Sequence, residues 1–196
     1  MSLNLITGPA AEPVSLVEAK LHCRVDTTDD DTLFAIAIKG AREAAEHLTG
    51  RAFVTQTWEL VLDRFPSRGW RAGRSIELAK PKVIGITSVK YLDVAGVEQT
   101  LDNDLYVLDA DTMPGWLSPA VDTEWPDTQA TTNTVRVRFT AGYGAAADVP
   151  AAIKQWMLLQ IGAAYRNREA FLAGITIADL PNRFVNGLLD RERTFV

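Results

Sequence analysis

Asp29-Asp30-Asp31-Thr32-Leu33-Phe34 opens the stretch that decides the fold of this chain, and Thr49-Gly50-Arg51 closes it. The aspartates stand where carboxylates stabilise the first turn of a helix, and Gly50 supplies the residue that ends one. Apolar residues recur between them at intervals of three and four, which predicts a long amphipathic helix. Its predicted buried face consists of Leu33, Phe34, Ala37, Ile38, Ala41, Ala44, Ala45 and Leu48.

Three further helices are predicted around this one. Pro13 and the capping-box pair Ser15 and Glu18 start a short helix; its candidate buried positions are Leu16, Ala19 and Leu21. Pro150 starts a second long helix, whose expected inner face is Ile153, Trp156, Met157, Gln160, Ile161, Ala164 and Tyr165. A short helix is expected from Arg183 to Arg191.

The middle of the chain changes from a helical period to an alternating one, which is typical of half-buried strands. The strands are expected at 57–63, 75–78, 83–92, 97–100, 105–108 and 135–139. The polar, proline-containing residues 109–133 are expected to form an extended loop or edge segment.

The order of the elements therefore predicts an α+β fold. It has a helical core of two N-terminal helices, one long and one short C-terminal helix, with a central antiparallel β-insert. We expect a single domain over residues 1–196, with the helical core at 12–51 and 144–196 and the β-rich insert at 52–143.

The composition and charge of the chain argue against several functional classes. The chain has 196 residues, 47% of them hydrophobic and 23% charged, which is typical of a soluble globular protein. Its formal net charge of -5 argues against a dedicated nucleic-acid binder, which usually carries a basic excess. The single cysteine, Cys23, excludes an intramolecular disulfide. No apolar run is long enough to span a bilayer, and the first six residues lack the features of a secretion signal.

The candidate sites for metal or catalytic chemistry have simpler structural interpretations. Asp26 and the three aspartates at 29–31 lack the glycine and distal glutamate of a calcium loop, so helix capping is preferred. His22 and Cys23 are sequence neighbours, whose side chains need not converge as a nucleophile and base must. The glycines at 142 and 144 precede a helix, but the lysine and hydroxyl residue of a phosphate loop are missing, so a turn out of the last strand is predicted there. We therefore expect no catalytic residue, metal or cofactor; the alternative is a small soluble enzyme of unknown class.

Two arginine groups are candidates for partner contacts. Arg136 and Arg138 point outward from a strand, where they could meet an acidic partner or DNA, or form cross-strand ion pairs. At the chain end, basic and apolar residues alternate in a helix too short to be stable alone. It docks either on its own domain or on another subunit, and the sequence leaves both open. Its candidate partner-binding residues are Arg183, Phe184, Leu188, Leu189, Arg191, Arg193 and Phe195.

These patterns resemble the head–tail connector (adaptor, or head-completion) family of tailed bacteriophages and prophages. The resemblance lies in Ser15 to Asp31, in Thr49-Gly50-Arg51 followed by Thr55-Gln56-Thr57-Trp58, in Gly142 to Glu169, and in Leu180-Pro181 with Leu188-Leu189-Asp190-Arg191. It covers more than half of the chain; residues 63–134 contribute nothing diagnostic.

The resemblance implies a structural assembly protein of the virion, made in the cytoplasm of the bacterial host. Copies would form a ring, dodecameric when assembled, that contacts the portal protein on one side and a tail-completion (stopper) protein on the other. DNA would pass through this ring without sequence-specific binding. The C-terminal segments of such proteins commonly take part in portal docking, which favours an intermolecular role for residues 184–195.

Overall fold

The computed structural model describes residues 1–66, 74–167 and 182–193, with only the backbone of residues 182–184 and 186. In these ranges it has the helices α1 (Leu16–Cys23), α2 (Asp31–Thr49), α3 (Ala151–Arg166) and α4 (Asn182–Asp190). Its strands are β1 (Ser2–Thr7), β2 (Gln56–Leu62), β3 (Ile76–Leu78), β4 (Val83–Leu92), β5 (Glu98–Thr100), β6 (Tyr106–Asp109), β7 (Gly115–Pro119) and β8 (Val135–Ala141). The predicted α+β class, with four helices and antiparallel strands, is confirmed.

The chain forms two compact units, which we call the sheet unit and the helical unit. The sheet unit contains Met1–Ala10 and Thr55–Tyr143, and the helical unit contains Ala11–Val54 and Gly144–Val196. The first ten residues therefore belong with the strands, although the sequence analysis assigned no strand to them. None of the described helices is both long and apolar enough to cross a membrane.

The sheet unit is organised around β8. A five-stranded antiparallel sheet has the order β1-β2-β8-β4-β5, so β8 is hydrogen-bonded on both sides. Its alternating pattern buries Val135, Val137, Phe139 and Ala141 and turns Arg136 outward, as expected for a strand with one apolar face. A second, three-stranded sheet has the order β3-β7-β6.

The prediction of an extended loop at 109–133 was partly wrong, because it contains β7. Gly115, Leu117 and Pro119 alternate along this strand. Of these three, Leu117 alone has a large apolar side chain that is fully buried. A strand with so short an alternating pattern gives little periodic signal. Pairing with β3 and β6 on its two sides stabilises it instead.

In the helical unit, α1 packs against both α2 and α3. The predicted capping box at its start is confirmed: the Glu18 backbone N–H donates to Ser15 Oγ at 3.2 Å, and the Ser15 N–H donates to Glu18 Oε2 at 2.7 Å. Helix α3 buries Ile153, Trp156, Met157 and Ile161 of its predicted inner face, whereas Gln160 and Tyr165 are half-buried and Ala164 is exposed. Where α1 crosses α3, a Cβ at Gly162 would lie 3.1 Å from His22 Nε2. Glycine therefore permits this close approach.

The predicted buried face of α2 was wrong in part. Phe34, Ile38, Ala41 and Ala45 are buried as expected, but Leu33, Ala44 and Leu48 are exposed. The predicted burial of Leu21 on α1 was wrong too, since it is 78% exposed. Three polar residues of α2 are buried instead: Arg42, Glu46 and Thr49.

Arg42 explains why the buried face of α2 differs from the predicted one. Its Nε donates to Glu12 Oε2 at 2.8 Å and its Nη1 to Glu46 Oε2 at 2.7 Å. Glu46 Oε1 also accepts the backbone N–H of Phe53 at 2.9 Å. Burial alone would lower the pKa of Arg42, but the charges of Glu46 and Glu12 outweigh it and raise the pKa above its ordinary value. The arginine therefore stays charged, with its charge compensated by the buried Glu46 and the partly buried Glu12.

We expect Arg42→Met to lower the free energy of unfolding by about 3 kcal/mol, because it leaves the Glu46 carboxylate buried without its cation. Urea denaturation measures this loss. The matched control is Lys39→Met in the same helix, whose side chain is 65% exposed and whose replacement should change stability by less than about 0.5 kcal/mol. Equal effects of the two substitutions would contradict the role given to Arg42.

Candidate functional site

The C-terminal helix α4 docks on its own helical unit. It packs against α3 and α2, and Leu189 is fully buried. The residues that follow are attached to the end of α2, because Arg51 Nε donates to the Glu192 carbonyl at 2.5 Å and Arg51 Nη1 lies 3.5 Å from Glu192 Oε2. Of the two dockings left open by the sequence, the structure contains the one within the chain.

The other predicted partner-binding residues are placed differently from Leu189. Arg191 is exposed and Leu188 is half-buried, while Arg193 is half-buried and pairs with Asp190 at 3.5 Å. The side chains of Arg183 and Phe184, and the whole of Phe195, lie outside the described residues. Leu189 therefore lies in the interior of the chain, whereas Leu188 and Arg191 are accessible to solvent.

Arg136 and Arg138 form cross-strand ion pairs. Glu59 on the adjacent β2 faces Arg138 in register, with Arg138 Nη2 at 2.9 Å from Glu59 Oε1 and Arg136 Nη1 at 3.3 Å from Glu59 Oε2. One carboxylate thus serves two guanidinium groups on the outer face of the sheet, and the ion-pair interpretation of these arginines is confirmed.

The acidic cluster before α2 also has structural partners. Asp30 occupies the N-cap position, but its carboxylate makes no capping hydrogen bond; Oδ2 instead accepts from Tyr165 Oη at 2.8 Å. Asp31 Oδ1 receives Lys20 Nζ at 2.6 Å. The Asp30 and Asp31 carboxylates therefore join α2 to α3 and α1, and the expected capping by the Asp30 side chain was wrong. Within the described ranges, no three His, Cys, Asp or Glu side chains are arranged to hold a metal ion.

The glycines at 142 and 144 form a turn after β8. Both have positive φ values, 138° and 122°, which only glycine adopts without strain. At Gly144 a Cβ would lie 2.6 Å from Asp148 Oδ2, and that oxygen accepts the Ala145 N–H at 2.8 Å. Both observations agree with the turn predicted for this segment.

The shifted titrations of the described residues follow from local structural contacts. Hydrogen bonds from the Ser15 backbone and side chain lower the pKa of Glu18, and backbone hydrogen bonds, that of Val97 first, lower the pKa of Asp93. A hydrogen bond from Lys90 lowers the pKa of Glu98, while burial raises the pKa of Cys23 and of Tyr106. None of these groups lines the large open cavity of about 910 Å³ between Asp63, Phe65, Arg74 and Trp125 in the sheet unit.

A smaller apolar groove lies in the helical unit, between α2 and the end of α3. It has a volume of about 330 Å³ and is lined by Leu33, Phe34, Ile36, Ala37, Ala164 and Tyr165. Its floor is ordered: the rings of Phe34 and Tyr165 stack with centroids 4.7 Å apart, and Tyr165 is held by its hydrogen bond to Asp30. Its rim is formed by Ile36, 66% exposed, and Leu33, 48% exposed.

The sequence analysis missed this surface because it assigned Leu33 to the buried face. The sequence of α2 did contain a signal of an exposed apolar surface. Apolar and small residues of α2 occupy the buried positions 34, 38, 41 and 45 and also 33, 36, 37, 40, 44 and 48. Two such stripes cover more of a helix than one packed face can bury, so one of them had to remain outside.

Several solved structures share the architecture of this chain. The chain is similar to one in a structure titled "Neck of empty GTA particle computed with C6 symmetry", with 24% identity and a TM-score of 0.79 over 100% of this chain and 97% of the other. The chain has the fold of a particle-neck protein. Two further structures agree: the virion of a native gene transfer agent (GTA) particle, at 24% identity and a TM-score of 0.78, and its neck computed with C12 symmetry, at 23% and 0.76. Each is covered to 97%, and each covers this whole chain.

A family model matches the N-terminal part of the chain. Residues 13–69 match the model described as phage gp6-like head-tail connector protein. This range contains α1, α2 and β2, and includes the capping box and the Thr49-Gly50-Arg51 helix end on which the resemblance rests. The resemblance stated from the sequence is thereby confirmed for this part of the chain. No curated protein sequence matches the chain significantly.

The neighbouring leucines of α4 provide a test of how this helix is held. Leu189→Ala should lower the free energy of unfolding by about 2–5 kcal/mol, because it leaves a cavity in a closed site. Leu188→Ala, at a half-buried position, should cost less than about 1 kcal/mol. Urea denaturation of both variants measures the difference. Equal and small losses would show that α4 does not depend on Leu189.

Proposed function

We propose that the chain is a structural component of the head–tail junction of a tailed phage or gene-transfer particle. Its copies form a ring, dodecameric when assembled, which joins the portal protein to a tail-completion (stopper) protein and lets DNA pass. The protein is made in the host cytoplasm, is located in the virion and catalyses no reaction.

One observation carries this proposal: the fold agrees with neck chains over the whole of this sequence and 97% of theirs. A likeness restricted to one unit would have suggested a shared module in an unrelated protein. Here both units correspond, and the connector-family match at residues 13–69 adds agreement in sequence. The six- and twelve-fold symmetry of those neck structures supports a ring for this chain.

The charge distribution is compatible with passage of DNA. The chain carries a net charge of -5, and two of its arginines, Arg136 and Arg138, are already paired with Glu59. Tight phosphate binding needs several uncompensated cations. A ring of this composition therefore guides DNA without holding it.

The alternative, a small enzyme, receives less support from the described residues. An active site usually combines a concave pocket with titrations shifted by convergent polar groups. In this chain the described groups with shifted pKa values are at a helix cap, a turn, a cross-strand pair, the buried ion pairs of Arg42 and two partly buried positions. Of these groups, Glu98 lines a cavity of about 280 Å³ together with Glu59, Lys90, Arg136 and Arg138. Its lowered pKa is explained by the exposed ion pair with Lys90, and the two arginines there are paired with Glu59.

Deletion of the gene in a particle-producing strain tests the proposal. We expect DNA-filled heads and complete tails that remain unattached, visible by negative-stain electron microscopy, and restoration of whole particles by the gene in trans. Complete particles in the deletion strain would contradict the proposed function.

For the portal contact we propose the exposed side of α4 and the residues beside it. Arg191 and Leu188 form its described part, Arg193 adds a partly exposed cation, and Leu189 holds the helix in place from within. Arg183, Phe184 and Phe195 are assigned to the same surface by the sequence. Arginine and aromatic residues are typical anchors of protein interfaces.

Arg191→Glu should weaken binding to the portal protein by about tenfold or more, because it reverses an exposed charge at this surface. Light scattering and sedimentation of mixtures with the portal measure the complex. Arg166→Glu is the matched control, since Arg166 is an exposed arginine on α3 of the same unit. Equal binding by both variants and the wild type would remove α4 from the portal contact.

A further inference from the structure

The outward face of α2 is apolar along most of its length. Ile36 is 66% exposed, Leu33 48% and Leu48 45%, and the small residues Gly40 and Ala44 lie exposed between them. Large exposed apolar side chains are ordinary when scattered singly, but a contiguous row of them marks a contact surface. In the helical unit this row ends in the ordered groove between α2 and α3.

A second apolar surface lies on α1. Val17 is 75% exposed and Leu21 is 78% exposed, and their spacing of four residues places them side by side on the helix. Neither residue lines the groove. The helical unit therefore offers two separate apolar surfaces: a concave one at α2 and α3, and a projecting one at α1.

We propose that the groove of one copy receives Val17 and Leu21 of the next copy. This inference rests on the proposed function, because it assumes that the chain works as a ring. A ring with more than two subunits needs a head-to-tail contact in which two different surfaces of the same chain meet. The projecting pair on α1 and the groove supply such surfaces.

A second copy fits these surfaces better than a charged partner does. The charged residues of α2 that flank its exposed row, Lys39 and Glu43, neutralise each other at 3.9 Å, and the groove lining carries no ionisable group other than Tyr165. Copies of a chain with a net charge of -5 would repel one another at charged surfaces. Contact through uncharged surfaces avoids this repulsion, and the apolar area removed from water drives the association.

Two variants, each with one surface disabled, test the contact. Ile36→Asp places a charge on the rim of the groove and leaves α1 intact, whereas Leu21→Asp disables α1 and leaves the groove intact. Both positions are exposed, so both variants should fold, and near-ultraviolet circular dichroism checks this. Val94→Asp, at a position 70% exposed in the sheet unit, is the matched control for an added surface charge.

We expect each disabled variant alone to self-associate at least about tenfold more weakly than the wild type and the control. An equimolar mixture of the two should form a one-to-one dimer and no larger species, because only one intact pair of surfaces remains. Sedimentation velocity at protein concentrations up to about 1 mM measures this. The dimer is diagnostic of a head-to-tail contact, since a contact between two identical surfaces cannot be restored by mixing.

Two outcomes would overturn the inference: the absence of a mixed dimer over this concentration range, or self-association of Ile36→Asp equal to that of the wild type. Neither outcome bears on the proposed function, which the deletion strain tests separately. Unattached heads and tails in that strain, together with no mixed dimer, would place the contact between copies on another surface of the same neck protein.

Discussion

The helical unit depends on the buried ion pairs of Arg42. This one side chain connects Glu12, which precedes α1, to Glu46 on α2, and Glu46 in turn holds the backbone N–H of Phe53. The segments that enter and leave the α1–α2 pair are thus fixed to the same helix. A buried arginine is stable only when its charge is paired and its hydrogen bonds are made, so the inner face of α2 cannot be wholly apolar. This constraint determines which residues of α2 face outward.

The outward residues of α2 connect this packing to assembly. With Arg42 and Glu46 turned inside, Leu33, Ile36 and Leu48 are left on the surface, an arrangement that costs free energy for a free subunit in water. A protein that works in a ring gains by it, because the same side chains are then covered by a neighbour. The likeness in fold to chains of particle necks and the exposed apolar row of α2 are independent observations, and both agree with the ring that we propose.

Local signals predicted those parts of the fold that local interactions decide. Ser15 and Glu18 form the predicted capping box, Gly50 ends α2 with a φ of 73°, and β8 alternates as its sequence does. Parts decided by distant pairing were not predictable in this way. Strand β1 is almost wholly exposed and exists through its pairing with β2, and the inner face of α2 follows from Glu12, thirty residues before Arg42.

The candidate contact surfaces escaped the sequence analysis for the same reason, since apolar side chains were assigned to the interior. The sequence nominated the arginine, phenylalanine and leucine residues of the C-terminal segment and the pair Arg136 and Arg138. Packing then separated Leu189 from Leu188, and Glu59 was found paired with both arginines of β8.

The central claim is that this protein forms the ring between head and tail. Cryo-electron microscopy of intact particles, with the symmetry of the neck determined separately from that of the head, tests it most directly. The account predicts a ring of copies next to the portal, with density that fits both the sheet unit and the helical unit of this chain. A neck fully explained by other proteins, with this chain absent from the particle or located elsewhere in it, would contradict the account.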